Sequence, residues 1–126
     1  MRFELKMNVL IVESDDQLRG IWADHLRRLG AQVFCASSQD GAVAEMQHRT
    51  FDIIVLDLVL EDGSAFAVAD FAAYRSEQTR VVFVTNTTFF SDGSIYKHIP
   101  NACAFVQSSA PPEDLAAIVE HYGGPN

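Results

Sequence analysis

Basic residues are scarce in this chain: Lys and Arg number 9 against 17 Asp and Glu in 126 residues, a formal net charge of -8. That balance argues against nucleic acid as a direct partner, because phosphate binding needs clustered Lys and Arg. The one notable basic pair, Arg27-Arg28, reads as a solvated helix face, and the acidic surplus serves solubility. Long hydrophobic runs are missing too, with nothing near the roughly 20 apolar residues that span a bilayer. The start, Met1-Arg2-Phe3-Glu4-Leu5-Lys6, has basic residues, but no apolar core follows before Asp15 and Asp16. No membrane span or signal peptide is expected, and the expected location is the cytoplasm. The 2 cysteines, Cys35 and Cys103, show no CxxC spacing and no neighbouring histidine cluster, which leaves a zinc or redox site unsupported. Each lies in a short apolar segment, where a free thiol acts as a small hydrophobe. Neither a G-x-G-x-x-G turn nor a Walker A loop occurs, so a nucleotide-binding module has no phosphate cradle.

What remains is ordinary for a globular protein: 48% hydrophobic and 21% charged residues, enough for one core. No linker, repeat or low-complexity stretch divides the chain. A single domain over 1–126 is expected, with its core at about 8–121, short tails at both ends and no output domain.

The hydrophobic pattern alternates short apolar runs with helical periodicity. Asn8 to Val12 is a fully apolar run of the kind found in a parallel strand covered on both faces. Leu18, Ile21, Trp22, His25, Leu26 and Leu29 then follow helical spacing, and Gly30 ends the helix. Gln32 to Ala36 reads as a second strand. Ser37-Ser38-Gln39-Asp40 offers caps for a helix carrying Ala42, Val43 and Met46. Phe51 to Leu56 is the third strand and delivers Asp57 at its C-terminal end. Beyond Glu61-Asp62-Gly63, a third helix carries Phe66, Ala67, Val68, Phe71 and Ala72. Arg80 to Val84 is strand four and ends at Thr85. The segment 86–101 is broken by Ser91-Asp92-Gly93-Ser94, so any helix there is short or irregular. Phe89, Phe90 and Tyr96 within it serve either core packing or an exposed partner patch. Ala102 to Val106 is strand five, and Pro111-Pro112 opens a last helix with Leu115, Ile118 and Val119 as its stripe. Strands separated by helices imply a parallel α/β sheet.

In open sheets of this kind ligands bind at the carboxyl ends of the strands. The polar residues there are Glu13 and Ser14 after strand one, Asp57 after strand three, Thr85 after strand four and Ser108 after strand five. Glu13 and Asp57 at one end of the sheet suit a hard divalent cation such as Mg²⁺, which would relieve their repulsion.

The run VLIVES, the segment DIIVLDLVLEDGS, the strand VVFVT and the tail AFVQSSAPPEDL together resemble bacterial response-regulator receiver domains. The resemblance extends from about Asn8 to about His121. It implies a doubly wound, flavodoxin-like fold with strand order 2-1-3-4-5, in which an aspartate takes a phosphoryl group from a partner's phosphohistidine. Carried over by position, Asp57 is the phosphoacceptor. Glu13, Asp57 and the backbone carbonyl of Val59 are the Mg²⁺ ligands, Thr85 bonds the phosphoryl group, and Thr85 and Phe105 are the switch residues. With that strand order Cys35 and Cys103 lie on opposite edges of the sheet, roughly 19 Å apart by strand spacing, too far for a disulfide.

Four positions depart from the family's pattern. Ser14 stands where an acidic metal ligand is usual, and a neutral hydroxyl should weaken Mg²⁺. Ser14-x-x-Gln17 also matches a capping box for the first helix. Asp15 or Asp16 could supply a substitute carboxylate, but their spacing reads as solvent-facing residues of the first turn that favour the helix dipole. Ser108 replaces the usual lysine, offering a hydrogen bond without charge. Ser109 replaces a proline held in a cis peptide bond, which should loosen the loop after strand five. Glu61 replaces the proline after strand three.

The chain therefore reads as a degenerate, stand-alone receiver in phosphorelay signalling. Its expected partners are a histidine kinase or phosphotransfer protein and a downstream target, met through the face of the fourth helix and fifth strand; a homodimer is a further option. The alternative within signalling is a pseudo-receiver that works by phosphorylation-independent binding or dimerisation, with Phe105 then serving only as core. An aspartate-nucleophile phosphatase would need a second aspartate two residues after Asp57, where this chain has Val59. No enzymatic turnover is expected.

Overall fold

Burial on both faces is what the short apolar runs need, and a central parallel sheet provides it. The computed structural model describes residues 7–86 and 99–123. The elements are β1 (Asn8–Val12), α1 (Asp16–Arg28), β2 (Gln32–Ala36), α2 (Gln39–His48), β3 (Ile53–Asp57), α3 (Ala65–Arg75), β4 (Arg80–Thr85), β5 (Ala102–Gln107) and α4 (Pro112–Gly123). All strand pairs are parallel and the order is β2-β1-β3-β4-β5. This is the expected doubly wound α/β arrangement.

The strand period of two divides the core in half. Leu10, Val12, Ile54, Leu56, Val81 and Phe83 face one way and pack with residues of α2 and α3. Val9, Ile11, Ile53, Val55, Val82 and Val84 face the other way and pack with residues of α1 and α4. The two halves leave the strand ends free to carry polar groups.

Two helix faces differ from the expectation. On α1 the buried residues are Trp22, Ala23 and Leu26, while Ile21 is 45% exposed. The buried stripe runs one residue further round the helix, through the small Ala23, which lets α1 approach the sheet. On α3 the buried residues are Ala65, Val68, Ala69 and Ala72, and Phe66 is 46% exposed. Small side chains again take the seat against the sheet and turn the larger one outward.

The capping box at Ser14 does not form. Asp15 is the N-cap of α1, its Oδ1 accepting from the backbone N–H groups of Gln17 (2.9 Å) and Leu18 (3.0 Å). Ser38 caps α2 and Ser64 caps α3. Gly30 adopts φ +100, as a glycine past a helix end does.

Cys35 and Cys103 sit in the two edge strands with β1, β3 and β4 between them, and both thiols are free. Burial pushes the Cys103 thiol up to about 11 and raises that of Cys35 as well. Phe89, Phe90, Tyr96 and most of the segment 86–101 lie outside the described residues, as do both tails. Among the described residues no helix is long and apolar enough to cross a membrane.

Candidate functional site

Parallel strands all end on the same side, so the sheet collects its polar terminal residues without any long loop having to fold back. Glu13 follows β1 directly, and its N–H donates to the Ala36 carbonyl (3.0 Å), extending the pairing with β2 by one residue. Asp57 closes β3 opposite Val84, and Thr85 is the next residue of β4, opposite Gln107. Ser108 then donates its N–H to the Thr85 carbonyl (2.8 Å). Glu13, Asp57, Thr85 and Ser108 thus stand at the ends of β1, β3, β4 and β5, as the sequence suggested.

The acidic pair is in contact. Glu13 is 3% exposed, and its Oε2 accepts from the Asp15 N–H at 3.1 Å. Burial first, and then a hydrogen bond with the Asp57 carboxylate, push the Glu13 carboxyl up to about 8. Glu13 therefore keeps its proton near neutral pH and shares it in the bond with Asp57. Asp57 is half-buried, and its Oδ1 accepts from the Val59 N–H at 3.0 Å, which fixes the carboxylate's rotation. Val59 itself is 68% exposed. Leu58, on the other hand, is buried and its N–H donates to the Val84 carbonyl (2.8 Å), so the chain leaves β3 still anchored to β4.

Thr85 is buried at 5% exposure, within the wall beside Asp57 rather than out in solvent. Phe105, partly buried in β5, stacks on Phe83 with ring centroids 5.3 Å apart and planes 16° from parallel. Phe66 of α3 also neighbours Phe83, with ring centroids 6.4 Å apart and planes tilted by 44°, so Phe83 links α3 to β5.

Ser14 is turned away from the acidic pair. Its hydroxyl donates to the Ser37 carbonyl (3.2 Å) and accepts from the Glu61 N–H (3.0 Å). Ser109 follows an ordinary trans peptide bond, and the loop after β5 is closed by the Ala110 N–H donating to the Gln107 carbonyl (3.0 Å).

Three residues take parts at the site that the sequence reading did not assign to them. Asp15 supplies both the cap of α1 and an N–H to Glu13. Arg19 donates from Nη1 to the Glu13 carbonyl (2.6 Å) and pairs with Asp16, an i,i+3 spacing that was legible along the helix. Gln39 accepts from the Ser64 N–H through Oε1 (2.8 Å) and donates its own N–H to the Asp62 carbonyl (3.1 Å). Only the folded chain brings Gln39 to that loop, and no local pattern announces it.

A fit for Mg²⁺ is poor in this arrangement. Glu13 and Asp57 already bond one another, Ser14 is committed elsewhere, and among the described residues no three acidic, histidine or cysteine side chains are grouped as a metal would need.

The comparisons with known proteins agree with this geometry. No curated protein matches the chain. The family model for the response regulator receiver domain matches residues 9–118. Among solved structures, the N-terminal domain of a response regulator/sensory box/GGDEF 3-domain protein from Carboxydothermus hydrogenoformans is 27% identical, with 91% of this chain and 92% of that one covered at a TM-score of 0.80. Chemotaxis protein CheY4 of Vibrio cholerae is 20% identical over 91% of this chain and 97% of its own, at a TM-score of 0.83. NtrX from Brucella abortus is 19% identical at a TM-score of 0.83, with 92% of this chain covered. The chain spans only 26% of that protein's length. With the strand order, the strand-end acids and the family match in agreement, this chain belongs to the response regulator receiver domain family.

Proposed function

We propose that this receiver takes a phosphoryl group onto Asp57 from the phosphohistidine of a histidine kinase or phosphotransfer protein, and passes the signal on by protein–protein contact in the cytoplasm. The observation that carries this reading is Asp57 itself: a half-buried carboxylate at the end of a fully buried strand, with one oxygen held by Val59. In the transfer an Asp57 oxygen attacks phosphorus, an acyl phosphate forms and the phosphorus–nitrogen bond breaks. The electron pair of that bond leaves with the imidazole. Glu13, carrying its proton, lowers the repulsion an incoming phosphoryl group would meet, and the Thr85 and Ser108 hydroxyls supply hydrogen bonds where charge builds up. Mg²⁺, which the resemblance would place on Glu13, Asp57 and the Val59 carbonyl, is given no part in this step, because the residues present fit it poorly. Phe105, stacked on Phe83, is the aromatic whose packing would report the modification at the β5 face.

A second reading, constitutive binding or dimerisation without phosphorylation, draws support from Ser108. A serine brings no cation to the phosphoryl group, and Arg19 is engaged with the Glu13 carbonyl and Asp16. Steady turnover as a phosphatase is disfavoured by Val59, whose side chain holds no proton to give. Intact mass after incubation with acetyl phosphate separates the first two readings. Wild type is expected to gain one phosphoryl group that Asp57→Ala does not. If neither acetyl phosphate nor a phosphorylated histidine donor labels the wild type, the binding-only reading takes its place.

A further inference from the structure

Ser14 and Glu61 lie far apart in the chain, and each stands where receivers usually have something else: an acidic ligand at the first position, a proline at the second. In the fold they are bonded to each other, the Glu61 N–H donating to Ser14 Oγ at 3.0 Å. A proline at 61 has no N–H and could not make that bond, so the two substitutions have one common physical result. The same hydroxyl donates to the Ser37 carbonyl at the entrance to α2 (3.2 Å). Gln39, two residues further on, holds the next stretch of the loop through the Asp62 carbonyl and the Ser64 N–H.

We propose that Ser14 is a positioning residue that latches the loop after Asp57 onto the start of α2, from the place where a third cation ligand would stand, and that the site therefore has no divalent-cation site of its own. This deepens the reading of Asp57 as the acceptor and rests on it for its significance. The other acids nearby cannot stand in. Asp15 Oδ1 accepts two N–H groups as the cap of α1. Asp16 is exposed and paired with Arg19. Glu13 Oε2 is taken by the Asp15 N–H and Asp57 Oδ1 by the Val59 N–H. Cation affinity follows ligand charge count, and two carboxylates with no third anion offer little of it.

The test uses the whole chain and does not pass through phosphorylation. Mn²⁺ binding, followed by loss of the free-ion EPR signal, is expected to show no saturable site in wild type at millimolar metal, and one saturable site in Ser14→Asp. Amide exchange at Glu61 is expected to be faster by about tenfold in Ser14→Ala, the effect of one lost hydrogen bond, and to return to the wild-type rate in Ser14→Thr. A saturable wild-type site that Asp57→Asn abolishes would overturn the proposal. So would a Ser14→Asp variant that gains no site, or Glu61 exchange unchanged in Ser14→Ala. Phosphoryl uptake is read separately by mass, so failure of the acceptor reading and failure of the latch are distinguishable.

Discussion

A carboxyl group with nowhere to put its charge behaves as a pH sensor of stability, and Glu13 is in that position. Its pKa rises on folding from the ordinary 4.5 to about 8, mainly through burial and then through its bond with Asp57. The neutral form is therefore the one the fold prefers. The stabilisation is full below pH 4.5, declines as pH rises, and is lost above about 8. Glu13→Gln, which cannot ionise, is expected to be the more stable protein above pH 8 and to lose that advantage in acid. Urea unfolding of both proteins on either side of this pH checks it; parallel curves would contradict it. Glu13 and Asp57 were legible as a pair because strand ends gather polar residues. That Glu13 holds a proton was not legible, since its burial is a tertiary fact.

Among the elements, the loop between β3 and α3 is where chemistry and backbone geometry meet. Gly63 has φ +102, and a Cβ there would come within 2.3 Å of Gln39 Cβ. Gly63→Ala would meet both a left-handed backbone and a collision with α2, and is expected to cost about 1–3 kcal/mol or to displace the loop. Equilibrium unfolding measures the first outcome, and chemical shifts of Leu58 to Ser64 report the second. At the start of α1, Asp15→Ala is expected to cost about 1 kcal/mol through loss of the cap. Amide exchange at Gln17 and Leu18 locates the effect, and an unchanged rate there would return the capping role to another residue. The sequence offered Ser14-x-x-Gln17 as a capping box, but a cap one residue later competed with it and prevailed. A carboxylate at 15 reaches two N–H groups, while the hydroxyl at 14 is drawn to Glu61, a partner too distant in sequence for any local pattern to reveal.

For the molecule as a whole, the alternating strands were the most readable feature, because uninterrupted apolar runs such as Leu10-Ile11-Val12 have only one environment that satisfies both faces. Strand order came with the family resemblance, and the paired registers agree with it. Helix orientation was less legible: Ile21 and Phe66 looked like core and face solvent, because alanines on the same helices allow closer packing. Phe83 is fully buried and neighbours both Phe66 and Phe105, so Phe83→Ala is expected to cost about 3–5 kcal/mol, measurable by urea unfolding. Charge is also arranged on this scale. Arg27, Arg28, Arg49, Arg75 and Arg80 lie at helix ends or at a strand start, at the opposite end of the sheet from Asp57. Glu61, Asp62, Asp15 and Asp16 surround the acceptor's end. The central claim is that Asp57 accepts the phosphoryl group, and the most direct measurement is borohydride reduction after exposure to a phosphorylated donor, followed by peptide mapping. An acyl phosphate at Asp57 is reduced to homoserine, and conversion at position 57 in wild type alone is the predicted result. Conversion at another carboxylate, or none while the chain still engages its signalling partner, would contradict the account.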